Sequence, residues 1–179
     1  MNTATKTLWK IDPTHSEIQF KVKHLVISTV TGSFKTFDGT IESEDDSFEN
    51  AVATFSADVN SITTNNEDRD THLKSADFFN AEEFPQLTFR SDSFNKREDG
   101  TYTVTGDLTI RDVTKEVELD VNHGGTVEDP YGNTKAGFEI TGTINRKEFG
   151  LTWSAVTEAG NVVVGDEIKL HLNVQLVQS

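Results

Sequence analysis

Near the C-terminus, Ile168, Leu170, Leu172, Val174 and Leu176 alternate with Lys169, His171, Asn173 and Gln175. Only an extended strand, whose side chains point to opposite faces in turn, gathers all five apolar residues on one side. The same period returns at Ile18, Phe20 and Val22, from Val104 to Ile110, at Val117, Leu119 and Val121, and at Phe138, Ile140 and Ile144. The pattern predicts an all-β chain with eight long strands, near 16–25, 29–42, 51–62, 86–95, 101–111, 115–127, 134–145 and 163–177. Trp9 to Ile11 reads as a short extra piece.

Turn signals separate the strands: Glu98-Asp99-Gly100, Gly124-Gly125, and Asp129-Pro130-Tyr131-Gly132-Asn133. Long strands joined by short turns favour up-and-down antiparallel order over parallel units. One stretch, after the third strand, reads as helix. Thr64 and Glu67 have capping-box spacing, Asp70 and Lys74 stand four apart, Leu73 and Ala76 give an apolar edge, and Pro85 stops continuation. A helix of about ten residues needs support from the sheet, with Phe78 and Phe79 pointing inward. Gly32, Gly39, Gly106 and Gly142 fall inside strand patterns, where they permit the bends or bulges that let long strands coil. Eight strands close into a barrel that side chains can fill or that can hold one small ligand. Its inward positions carry Phe20, Phe34, Phe37, Phe55, Phe89 and Phe138. The 12 Phe against 2 Tyr indicate dry surroundings, although each ring alone reads as ordinary core.

A length of 179 residues suits one domain over 1–179. A net charge of −14 repels phosphate backbones and anionic headgroups, which argues against nucleic acid as a partner. No apolar run approaches the roughly 18 residues of a membrane span, so stable membrane insertion is not expected. The N-terminal residues lack the features of a secretory signal, which points to the cytoplasm. The absence of cysteine removes disulfides and thiolate metal sites.

Polar chemistry is sparse. The five histidines form no metal-ligand spacing, so no metal or other cofactor is expected. His24 shares the parity of Phe20 and Val22, and His171 the outward parity of its strand. Neither a nucleophile elbow nor a phosphate-binding glycine loop occurs. Ser16 and His15 are strand neighbours and face opposite ways. An Asp70–His72 pair with Ser61 is the one catalytic arrangement that folding could assemble.

Several segments carry a family pattern. The opening stretch holds Trp9, Asp12, His15, Ser16, Phe20, His24 and Leu25, followed by Gly32, Phe34, Phe37 and Gly39 in G-S-F-K-T-F-D-G. The most specific element is S-I-T-T-N-N-E-D-R-D-T-H-L-K-S-A-D-F-F, and it runs into F-P-Q-L-T-F-R-S. G-D-L-T-I follows, with Arg111 where glycine is often found, then G-F-E-I-T-G-T-I-N-R-K-E-F-G-L-T-W and V-G-D-E-I. From Trp9 to about Val174 the chain resembles the YceI-like family of lipocalin-like, polyisoprenoid-binding barrels.

The resemblance implies an eight-stranded antiparallel lipocalin-like β-barrel with one short helical insert between strands three and four, an elongated apolar cavity, and often a homodimer. With strand parity it assigns the cavity wall to Phe20, Val22, Phe34, Phe37, Leu73, Phe78 and Phe79. Phe89, Leu108, Ile110, Phe138, Ile144, Phe149 and Trp153 complete it. Arg69, His72 and Arg146 are candidates to meet a headgroup at the mouth. For Arg69 the preferred alternative is a buried pair with an acid such as Asp77, and Arg146 presents the same choice. The leading functional expectation is binding and carrying, or sequestering, a long isoprenoid lipid or quinone tail without catalysis. One alternative is an enzyme acting on a small apolar substrate through Asp70 and His72; another is a barrel packed solid.

Overall fold

The computed structural model describes residues 6–24, 27–44, 48–151 and 164–178. Eleven strand segments follow in order: β1 (Lys6–Ile11), β2 (Glu17–His24), β3 (Ser28–Phe34), β4 (Phe37–Glu44), β5 (Val52–Asp58), β6 (Ile62–Thr63), β7 (Gln86–Lys96), β8 (Tyr102–Ile110), β9 (Val113–Glu128), β10 (Thr134–Asn145) and β11 (Val164–Gln178). The one α-helix among the described residues is α1 (Glu67–Lys74).

The segments merge into eight staves. Both β1 and β2 pair antiparallel with β11, at Ile11↔Leu176 and Glu17↔Asn173, so they are halves of one bent strand. Pro13, which has no N–H to give a ladder, opens the 3₁₀ turn Pro13–His15 between them, and Asp12 accepts from the Thr14 N–H at 3.0 Å. Gln175 bridges the break: its carbonyl accepts from the Asp12 N–H at 2.7 Å, and its N–H donates to Ser16 Oγ at 2.9 Å. The expected extra piece at Trp9–Ile11 is thus the start of the first stave. β3 and β4 form the second stave, pairing with β2 and β1 respectively. Onward pairing through β5, β7, β8, β9, β10 and β11, and back to β1, closes an eight-stranded antiparallel barrel.

Antiparallel order sorts the connections between two ends. The paired strand ends His24 and Ser28, Ile110 and Val113, and Asn145 and Glu167 lie at one end with the β6–β7 insert and α1, here the upper one. Rings close the lower end. Phe48 is 2% exposed and lies 5.4 Å from the Trp9 ring and 4.8 Å, edge-on, from Phe138. The His123 ring stacks on Phe138 at 4.9 Å.

Three local expectations change. The helix cap is Asn66, which accepts from the Arg69 N–H at 3.0 Å, and not Thr64. Thr64 is buried, and both its N–H (2.7 Å) and its hydroxyl (2.6 Å) donate to Asp70 Oδ1. Hydrogen bonds to an ionised carboxylate are stronger than neutral ones, and Asp70 turns back to take two from Thr64 in place of an ion pair with Lys74. Gly124-Gly125 is not a turn. It lies inside β9, at the bulge where Gly125 pairs Gly137 but His123 pairs Phe138.

The in-strand glycines act chiefly by lacking a side chain, although Gly106 does pair with Ser91 beside a bulge. A Cβ on Gly32 would sit 2.2 Å from the ζ carbon of Phe20, its cross-strand partner. One on Gly106 would meet neighbouring backbone first, the Arg90 carbonyl oxygen at 2.3 Å, and then Phe89 at 2.7 Å; one on Gly142 would lie 2.5 Å from a Leu119 methyl. Large inward side chains lie flat over these glycines, against the wall and not across the barrel.

Candidate functional site: an apolar lumen

Flattening those side chains leaves space. A cavity runs inside the barrel, from Leu73, Phe78 and Phe79 at the upper end to Phe94, Phe138 and Leu176 near the lower. It offers ≈ 220 Å³ in which the centre of a water-sized group can move. That is many times the room a single water needs, enough to admit part of a flexible apolar chain. A solidly packed barrel is therefore not what the chain forms.

Eleven of the expected wall residues line this cavity: Phe20, Val22, Phe34, Leu73, Phe78, Phe79, Phe89, Leu108, Ile110, Phe138 and Ile144. Two do not. Phe37 stacks on Phe55 at 6.4 Å, and Phe55 faces the lumen in its place. Phe149 is 1% exposed, but it ends a 3₁₀ turn (Arg146–Phe149) and packs into the core beside the lumen. Trp153 and the His24 side chain fall outside the described residues. The expected wall omitted the inward rows of β9 and β11, including Val117, Leu119, Leu170 and Leu172. The signal that finds them is strand alternation; the aromatic bias had drawn attention to rings.

At the upper end the insert folds over the lumen. Phe79 meets Phe34 edge-on at 6.2 Å, and Phe34 lies 5.7 Å from Phe20. Phe78 is 5% exposed. Leu73 is the one residue of α1 on the cavity wall; burial falls mainly to the coil after the helix.

The three candidate headgroup contacts are engaged by the protein. Arg69 does not pair with Asp77: its Nε donates to Thr64 Oγ1 at 2.8 Å and its Nη2 to Thr64 O at 2.9 Å, tying the helix to the residues before it. Asp77 is held by His72 Nε2 at 2.9 Å instead. Neither Arg69 nor His72 lines the cavity among the described residues. Arg146 does, yet it is 2% exposed and donates to backbone carbonyls: Nε to Gly165 at 2.8 Å, Nη1 to Leu151 at 2.6 Å and Nη2 to Val164 at 3.3 Å. Burial pulls its pKa down, opposed by Asp166, 3.6 Å away. It clamps the two ends of the β10–β11 connection.

The catalytic arrangement is not assembled. Asp70 bonds Thr64, His72 bonds Asp77, and Ser61 Oγ donates to Asp58 O at 2.6 Å. On a helix, positions two apart do not face each other. Asp92, Asp107 and Glu116 approach one another outside the barrel, all exposed. His171, as its parity implied, faces a neighbouring strand's acid, Glu139, at 3.9 Å.

A family model described as the YceI-like domain matches residues 9–176. The chain belongs to the YceI-like family. Among its YceI-like relatives, the UPF0312 protein SA2479 of Staphylococcus aureus (strain N315) is 38% identical over 170 residues, spanning 94% of this chain and 96% of that one. BcnA of Burkholderia cenocepacia shares the fold, with a TM-score of 0.80 at 21% identity over 92% of this chain and 98% of its own. So does a polyisoprenoid binding domain from Saccharophagus degradans, with a TM-score of 0.65 at 14% identity over 94% and 97% of the two chains. No described helix is long and apolar enough to cross a membrane.

Proposed function

We propose that this YceI-like chain binds an isoprenoid lipid, a polyprenyl chain or quinone tail, in its lumen and carries or sequesters it without catalysing a reaction. One observation carries the reading: all eight staves contribute apolar side chains to a continuous, partly vacant cavity. The description of the S. degradans domain as polyisoprenoid-binding agrees with it. A buried methylene contributes about 0.8 kcal/mol, so 15–20 carbons supply roughly 12–16 kcal/mol gross. Losing the tail's freedom and that of the complex offsets much of this, by about 4–15 kcal/mol. Net affinity from the tail alone is then useful, and selection is for length and girth. Mass spectrometry of organic extracts from the purified protein is the test. A prenyl lipid should co-purify or be taken up from added prenols; repeated failure of both refutes the reading.

A further inference from the structure

At the upper rim, β8 turns into β9 through only two residues, Arg111 and Asp112, between the paired Ile110 and Val113. Arg111 has φ 57°, a left-handed conformation that suits glycine and disfavours any residue with a Cβ. Its guanidinium leans over the rim, where Nη1 donates to Phe78 O at 3.4 Å and Gly150 O at 3.3 Å, both long for hydrogen bonds. Its Nε is buried and meets no acceptor among the described residues. Among the described residues Arg111, like Arg69 and His72, does not itself line the lumen, but Ile110, Phe78 and Leu151, immediately beside these contacts, all wall it. One residue thus combines an unfavourable backbone with a buried unanswered donor, and such a donor calls for a partner. Arg69, His72 and Arg146, the other cations considered for this end, are engaged with Thr64, Asp77 and backbone carbonyls.

We infer that Arg111 is the headgroup contact, donating to an anionic oxygen, phosphate above all, on a lipid whose tail lies in the lumen, a local cation working against the repulsion that the net charge of −14 exerts on anionic headgroups. This rests on the lumen reading, and its test separates the two. The full-length protein is titrated with farnesyl phosphate, farnesol and inorganic phosphate at about 0.15 M salt, where exposed charges more than about 8 Å apart are largely screened. Charge-assisted hydrogen bonds of ordinary strength predict that the wild type prefers farnesyl phosphate to farnesol by roughly 10- to 100-fold. R111G, which suits the left-handed backbone and so keeps the hairpin, should bring that ratio close to one while leaving farnesol affinity unchanged. R111Q, of similar reach but uncharged, should do the same. Retention of the preference in both variants, its absence from the wild type, or inorganic phosphate binding as tightly as farnesyl phosphate would overturn the assignment while sparing the lumen. Failure of every prenyl ligand to bind would remove the lumen reading itself.

Discussion

Placing a methyl group on Gly32 should separate the stability of the barrel from its capacity. The new Cβ would stand 2.2 Å from Phe20 Cζ and 2.7 and 2.8 Å from the two ε carbons. Carbon atoms settle about 3.5–4.0 Å apart, so the ring must retreat by at least ~1.3 Å. Overpacking of a closed core costs about 1–3 kcal/mol, and exchanging glycine for alanine in the unfolded chain returns about 0.4–1 kcal/mol. Because the far side of Phe20 faces the lumen, retreat is cheap, and a net loss of about 1–2 kcal/mol is expected. The retreating ring takes the place of one or two methylenes, each worth about 0.8 kcal/mol, so prenol affinity should fall about four- to fifteen-fold. Urea unfolding measures the first quantity and displacement of a fluorescent lipid the second. G137A is the control, since a Cβ there meets nothing within 4 Å. Adding F20V to G32A should restore affinity, a coupling that a double-mutant cycle reads directly. A stability loss above about 3 kcal/mol with affinity intact would refute the argument, because it would mean the ring has packed protein behind it.

Three further outcomes follow from the same geometry. Across prenols of 10, 15, 20 and 40 carbons, affinity should rise with length and then level off before 40, once the tail outgrows the ≈ 220 Å³ lumen; a continued steep rise to the longest chain in calorimetric titrations would contradict that capacity. R146M strips charged hydrogen bonds from the carbonyls of Leu151, Val164 and Gly165 and should cost at least about 3 kcal/mol, lowering Tm by about 6–12 °C. Differential scanning calorimetry checks this, and an unchanged Tm would remove the clamp. Burial holds His123 below its ordinary 6.5, so the unfolded chain takes up the proton first as pH falls. Its contribution is fully present above about pH 6.5 and is lost as pH drops through the lower folded value. Urea midpoints should therefore decline from pH 7.5 to 5.5 more steeply in the wild type than in H123Q, and equal slopes would refute it.

Strand alternation made most of the barrel legible, because a period of two is a local property that burial on one face imposes directly. The expected 134–145 and 86–95 nearly coincide with β10 and β7. Where alternation is interrupted, continuity was lost. Pro13 breaks the pattern between Ile11 and Glu17, and only the shared pairing with β11 shows one stave there. Glycines gave an ambiguous signal for a related reason. A bend and a close approach both select the missing Cβ, and only the cross-strand register, Phe20 against Gly32, tells them apart.

The lumen wall was legible by the same parity, but the polar residues at its mouth were not, and the difference is physical. An apolar side chain needs only to face inward, which position along a strand determines. A cation needs a particular acceptor, and those that matter here leave no mark in residue type. Arg146 is satisfied by the carbonyls of Leu151, Val164 and Gly165, groups that every residue carries. Thr64 had a cap's spacing, yet Asp70, six residues on and twice as far as Glu67, took its hydroxyl and left Asn66 to cap. Arg111 is the instructive opposite. In sequence it stood out only by occupying a place where glycine is often found, and the left-handed backbone there gives the reason for glycine. Keeping an arginine in that conformation opposes local preference, and such departures from local rules concentrate at functional or strained sites.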